Sequence, residues 1–112
     1  MKKIEAILRS DCFDRVKVAL AKAGFVGLTT YEVKGRGRQK GIVLSYKGRE
    51  YREDLLPKVK IEVVVKTGDA DKVISIIQSE ARSGEIGDGK IFISTVDEVI
   101  RIRTGEKGND AI

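Results

Sequence analysis

Between residues 2 and 8, Ile4, Ala6 and Leu8 alternate with polar neighbours, the period-two pattern of a half-buried strand. The spacing then lengthens. Phe13, Val16, Leu20 and Ala23 recur at helical intervals and predict a helix over about residues 12–23. Ser10 or Asp11 suits its start, and Gly24 suits the position after its end. A second strand is expected over about residues 28–34. The same order then repeats, displaced by about 57 residues. Val59, Ile61, Val63 and Val65 mark a strand over residues 59–65. Asp69 is placed to cap a helix over about residues 70–82, with Val73, Ile74, Ile77 and Ala81 as its apolar stripe, Gly84 as its stop, and a strand over residues 90–95 after it.

Two strand–helix–strand units in series read as βαββαβ, a ferredoxin-like α+β fold with an antiparallel sheet and both helices on one face. The opposite sheet face is mixed, since Glu62, Val64 and Lys66 share it, and self-association as a dimer or trimer is the expected cover. Between the units, residues 36–56 contain Gly37, Gly41 and Gly48, are rich in Lys and Arg, and carry Tyr46, Lys47, Arg49 and Tyr51 at their centre. This stretch is too polar for a core and reads as a long, mobile, structureless binding loop. Near the C-terminus, Val99, Arg101 and Arg103 alternate with Ile100 and Ile102, which predicts a short strand with two guanidiniums on one side. Residues 104–112 read as a flexible end. The whole of residues 1–112 forms one domain: the loop at 36–56, a glycine-rich loop at 84–90, and a terminal strand and tail at 99–112.

Composition narrows the chemistry. There is no histidine, which excludes His-based metal sites, His general bases and Ser-His-Asp triads. Cys12 is alone, so no internal disulfide forms. No apolar run approaches the ~20 residues of a membrane span. The opening Met1-Lys2-Lys3-Ile4-Glu5 has no apolar signal core, so a cytoplasmic protein is expected. The net charge of +5 and pI of about 9.4 admit nucleic acid, nucleotide phosphates or an acidic membrane face as partners, alongside simple solubility.

The segment Gly84-Glu85-Ile86-Gly87-Asp88-Gly89-Lys90 stands between the second helix and the last strand. Such a segment is ordinarily only a turn, but glycines also let backbone N–H groups approach a ligand, and Lys90 adds a point charge suited to phosphate. Arg36 and Arg38 flank Gly37, and Arg101 with Arg103 adds two forks suited to phosphate oxygens. No Walker A loop occurs, and Gly35-Arg36-Gly37 is not a dinucleotide fingerprint, because its third glycine comes at Gly41 with no helix pattern after it. A basic nucleic-acid-binding module of the same fold is the competing reading. It needs aromatic residues on the central strands, where Phe92 stands alone. No nucleophile–base pair and no acid dyad is visible, so no enzyme is expected.

Several long stretches resemble the PII nitrogen-regulatory signal proteins. They are Glu32-Val33-Lys34-Gly35-Arg36-Gly37-Arg38-Gln39-Lys40-Gly41, Tyr46-Lys47-Gly48-Arg49-Glu50-Tyr51, and Leu56-Pro57-Lys58-Val59-Lys60-Ile61-Glu62. Residues 84–92 and Val99-Ile100-Arg101-Ile102-Arg103-Thr104-Gly105-Glu106 complete the likeness, which covers essentially the whole chain without gaps.

The resemblance implies a homotrimer with nucleotide sites in the clefts between subunits. It further implies competitive binding of ATP or ADP, 2-oxoglutarate binding together with Mg-ATP, and a long loop that docks on ammonium transporters or nitrogen-assimilation enzymes such as glutamine synthetase. Carried over by position, Thr29, Glu62 and Val64 would hold the adenine, and Gly35, Gly37, Gly87, Asp88, Gly89 and Lys90 would wrap the ribose and phosphates. Arg38, Arg101 and Arg103 would neutralise phosphate charge. Gln39 would ligate Mg²⁺. Lys58 would pair with a carboxylate of 2-oxoglutarate, beside the backbone of Gly37, Gln39, Lys40, Gly41 and Gly87. Tyr51 matches a tyrosine that some relatives carry as a nucleotidylation site. The serine that other relatives phosphorylate is replaced by Arg49.

Overall fold

The computed structural model describes residues 1–37, 42–53 and 55–112. Along the chain they form β1 (Lys2–Arg9), α1 (Phe13–Lys22), β2 (Thr29–Gly35), β3 (Ile42–Tyr46), β4 (Arg49–Glu53), β5 (Leu56–Val65), α2 (Ala70–Ala81) and β6 (Lys90–Thr95). Four strands make one antiparallel sheet in the order β2-β5-β1-β6. Each helix therefore joins two strands that have a third between them. This nesting is the ferredoxin-like arrangement, and it makes β5 and β1 the interior strands.

Period two on the strands and period 3.6 on the helices converge on a single core. Ile4 stands opposite Val63 and Ala6 opposite Ile61 in the β1–β5 register. These residues, with Leu8 and Val65, are buried against Val16 and Leu20 of α1 and Val73, Ile77 and Ala81 of α2. The alternate positions of β1 and β5 face away from the helices and carry Lys3, Glu5 and Arg9 beside Lys58, Lys60 and Glu62.

The helix starts differ from the capped ends expected at Ser10, Asp11 and Asp69. Each helix runs on from a 3-10 turn, Ser10–Cys12 before α1 and Thr67–Asp69 before α2, and neither start has a side-chain cap. The first helical N–H groups are met by backbone carbonyls of those turns: Phe13 donates to Ser10 and Ala70 to Thr67. At the other end of α1, Phe25 N–H reaches the Leu20 carbonyl at 2.9 Å and Gly24 N–H the Ala21 carbonyl at 3.0 Å, with Gly24 at φ +96°. These are the paired bonds of a Schellman end and need a left-handed residue at that place. α2 stops earlier than expected, because Arg82 is extended (φ −73°, ψ 122°).

Two further expectations need correction. The stretch expected to be structureless contains a hairpin: β3 and β4 pair from Ile42–Glu53 to Tyr46–Arg49 as a separate two-stranded sheet. Lys47 (φ 51°) and Gly48 (φ 74°) form its two-residue turn, and two positive φ values match the twist of antiparallel strands. The C-terminal segment, in turn, is not a strand at residues 99–103. An isolated bridge joins Ile100 to Lys107, and the chain between turns back, with Arg101 N–H donating to Glu106 at 2.9 Å and Gly105 N–H to Arg101 at 2.8 Å. Gly105 at φ +74° permits the reversal, so Arg101 and Arg103 do not share a strand face. The end expected to be flexible closes in a 3-10 turn, Gly108–Ala111, anchored by Gly108 N–H on the Val99 carbonyl at 2.9 Å. No helix among the described residues is long and apolar enough to cross a membrane.

Candidate functional site

After α2 the chain folds residues 83–89 around one carboxylate. Asp88 accepts the N–H groups of Ser83 and Gly84, each at 2.9 Å, and the Ser83 hydroxyl. Those hydrogen bonds, with Arg9 beside them, hold its carboxyl well below the usual carboxylate range. The Asp88 side chain is thus occupied by its own loop. Gly84, Gly87 and Gly89 all have left-handed φ, at +88°, +103° and +97°. Gly89 is further constrained: a Cβ there would lie 1.7 Å from the carbonyl oxygen of Ile7. The loop is therefore pressed directly onto the end of β1, where Ile7 pairs with Lys90.

Two cations from the sheet reach this loop. Arg9 and Lys58 stand opposite each other in the β1–β5 register. Arg9 Nε is 3.3 Å from Asp88 Oδ1, and its Nη2 donates to the Ile86 carbonyl. Lys58 Nζ donates to the Gly87 carbonyl at 3.0 Å. Burial, and then the neighbouring Arg9 charge, push the Lys58 ammonium below its ordinary pKa. Gly35 lies against the stem of the same lysine, since a Cβ there would sit 3.6 Å from Lys58 Cγ. Gly35, Lys58 and Gly87 to Lys90 thus meet at one end of the sheet. A cleft beside the loop, on the helix side, has an apolar floor of Leu8, Ile77, Ala81 and Ile91 and a rim of Arg82, Asp88 and Lys90.

The residues assigned to adenine lie elsewhere on the open face. Thr29 stands opposite Glu62, and Glu62 accepts the Tyr31 hydroxyl at 3.3 Å and pairs with Lys60 at 3.4 Å. Lys60 also lies 5.1 Å from the centre of the Tyr31 ring, and Lys3 pairs with Glu5 at 2.9 Å. Val64 follows on the same side of β5. Glu62 is four residues from Lys58 along one strand, about 13 Å. Arg101 and Arg103 come after Thr95, which pairs with Lys2 at the end of the sheet opposite the glycine loop. Arg101 pairs within the terminal turn with Glu106 at 2.9 Å. One chain therefore holds the expected site residues apart: Gly35, Lys58 and the glycine loop at one end of the sheet, and Thr29 and Glu62 further along, beside Glu5 in the middle of the β1–β5 ladder. Gly37 is exposed. Arg38, Gln39, Lys40 and Gly41 lie outside the described residues, and Tyr51 is described only by its place in β4. No cluster of three or more His, Cys, Asp or Glu is arranged to hold a metal among the described residues.

Arg9 is the residue that sequence reasoning missed. Its only signal is parity: alternation puts it on the polar side of β1 with Lys3 and Glu5. Its partners Ile86 and Asp88 are 77 and 79 residues away, and no local pattern links them.

Comparison with known proteins bears on the same segments. The family model described as nitrogen regulatory protein P-II matches residues 1–106. The chain is 59% identical over 112 residues to nitrogen regulatory protein P-II 2 of Methanothermobacter thermautotrophicus, covering all of this chain and 97% of the relative. It is 58% identical to nitrogen regulatory protein P-II of Synechocystis and 56% identical to that of Azospirillum brasilense, in each case over the full length of both chains. A match that runs from β1 through the glycine loop to the terminal turn covers every element just described, and the chain belongs to the nitrogen regulatory protein P-II family.

Proposed function

We propose that this protein senses adenine nucleotides and 2-oxoglutarate, and passes the result to nitrogen-metabolism targets through the segment between β2 and β5. Its family is one of nitrogen signalling proteins and not of enzymes. The observation that carries the ligand reading is the meeting of Lys58 with Gly87 at 3.0 Å, at the end of the sheet where the glycine loop is seated. Two cations, Arg9 and Lys58, stand opposite each other there, and the Asp88 carboxylate beside them is already occupied by loop donors. Their mutual repulsion would be relieved by an anion at that place.

In this reading Gly87, Asp88, Gly89 and Lys90 wrap the phosphates of ATP or ADP, and Lys58 meets a carboxylate of 2-oxoglutarate. Thr29, Glu62 and Val64 hold the adenine. Arg38, Arg101 and Arg103 add positive charge, and Gln39 with the nucleotide phosphates holds Mg²⁺. Lys58 and Glu62 stand about 13 Å apart along β5, and in this reading a closed ring of identical chains brings one chain's glycine loop beside its neighbour's Thr29 and Glu62. Exposed Phe92 and Ile93 on the edge strand β6, with Ile100 and the fully exposed Ile102 beyond it, give such an assembly apolar surface to bury. We therefore read the protein as a cytoplasmic homotrimer. Its targets are an ammonium transporter or a nitrogen-assimilation enzyme such as glutamine synthetase, and Tyr51 is its candidate modification site.

Calorimetry with Mg-ATP, alone and with 2-oxoglutarate present, tests the reading. Reciprocity requires each ligand to tighten the other by the same factor. Independent binding would remove the 2-oxoglutarate mechanism and leave nucleotide sensing. Absence of nucleotide binding would overturn both.

A further inference from the structure

We propose that Arg9 is a positioning residue for the glycine loop: its guanidinium bridges the Asp88 carboxylate and the Ile86 carbonyl and so fastens residues 86–89 to the end of β1. The inference rests on the nucleotide reading of that loop, and it gives a role to a residue outside the expected ligand set.

Two kinds of contact hold the loop. The first is internal. Ser83 and Gly84 wrap the Asp88 carboxylate, and these partners are four and five residues away, so the ring they form shapes the turn without fixing it to the sheet. The second kind is long-range and comes, among the described residues, from Gly89 against the Ile7 backbone, Lys58 on the Gly87 carbonyl, and Arg9 on Asp88 and Ile86. If Lys58 also meets an anionic ligand, as the proposed function requires, its three donors are shared between that ligand and Gly87. Arg9 has no part in that ligand, and its donors stay on Asp88 and Ile86.

Side-chain type matters at this position. The Arg9 contacts use two different nitrogens on two loop residues, one a carboxylate and one a carbonyl. A planar fork spans such a pair, whereas a lysine offers a single ammonium. The Arg9 and Asp88 side chains are 24% and 23% exposed, so their attraction is less screened than that of an open surface pair. Three loop glycines with left-handed φ make an untethered loop costly to order, and the tether meets that cost before the ligand arrives.

The test compares the full-length wild-type protein with R9M and R9K. ADP is titrated by calorimetry without Mg²⁺ or 2-oxoglutarate, and amide hydrogen exchange is followed across residues 83–90. R9M is expected to bind ADP roughly tenfold more weakly, the scale of one charged hydrogen bond, with faster exchange confined to the loop and an unchanged melting profile. R9K keeps the charge and loses the fork, so it should show the same loop exchange defect with part of the affinity restored. ADP binding by R9M at wild-type affinity, or loop exchange in R9K indistinguishable from wild type, would overturn the proposal. If R9M fails to fold, R9K decides the question by exchange alone. Failure of wild type to bind ADP counts against the nucleotide reading, while the exchange comparison still tests the tether.

Discussion

Replacing Gly89 with alanine tests whether the glycine loop is seated on β1 by backbone contact. Two costs add. At φ +97° an L-residue pays about 1–2 kcal/mol for its left-handed backbone. The new Cβ would also lie 1.7 Å from the Ile7 carbonyl oxygen and 2.9 Å from its carbon, and neither is a side-chain atom that can rotate away. Relief requires the loop to lift and the Ile7–Lys90 pairing at the end of the β1–β6 ladder to open, which costs about 1 kcal/mol for each backbone hydrogen bond lost. The expected total is roughly 3 kcal/mol. Gly84→Ala supplies the control. Gly84 also has a left-handed φ of +88°, but nothing lies within 4 Å of its Cβ position, so only the first cost applies, about 1–2 kcal/mol. Urea unfolding followed by circular dichroism, at one protein concentration, measures both. Since 1 kcal/mol moves the melting point by roughly 4–8 °C in a domain of about this size, the two variants should also separate thermally. Equal midpoints for Gly84→Ala and Gly89→Ala would show that the loop does not rest on Ile7.

Two other substitutions probe different parts of the molecule. Ile77→Ala removes a fully buried side chain of α2 that packs against the sheet, and should cost about 2–5 kcal/mol in the same urea assay; a loss below about 1 kcal/mol would mean that α2 does not cover the core as described. Asp88→Asn removes a carboxylate whose pKa is lowered in the folded state, chiefly by hydrogen bonding from Ser83. The stability that this carboxylate contributes is present above the unfolded pKa of about 4 and is lost as pH falls toward the folded value. The gap between wild type and Asp88→Asn should therefore be full near neutrality and narrow progressively below about pH 4. A gap of constant size from about pH 7 to pH 3 would refute the assignment.

Phe92 bears on the competing nucleic-acid reading. It was the aromatic expected on a core strand, and it lies half-exposed on the edge strand β6. The open faces of the interior strands β1 and β5 carry ion pairs among Lys3, Glu5, Lys60 and Glu62. Base stacking needs an aromatic platform, and these central positions provide none.

The periodicity of the sequence determined the four sheet strands, the two helices and the core. Burial follows side-chain parity on a strand and the 3.6-residue repeat on a helix, and both are written locally in the chain. Ile4, Ala6, Leu8, Ile61, Val63 and Val65 are buried as their alternation requires. The expected ligand residues were legible only through the family resemblance, because Lys58 or Thr29 by itself has no distinguishing pattern. The hairpin was missed because a Lys-Gly turn within a run of charges resembles an open loop until Lys47 is seen at positive φ. The alternation of Val99, Arg101 and Arg103 predicts a terminal strand but does not show that the chain turns back from Arg101, where Gly105 N–H bonds the Arg101 carbonyl. Tertiary structure alone decided the rest. It set Gly89 against the Ile7 backbone, brought Arg9 to Ile86 and Asp88, and kept Thr29 and Glu62 apart from Lys58 and the glycine loop. Those outcomes depend on which strand lies beside which and in what register, and register is fixed by packing among segments tens of residues apart rather than by any local run of side chains.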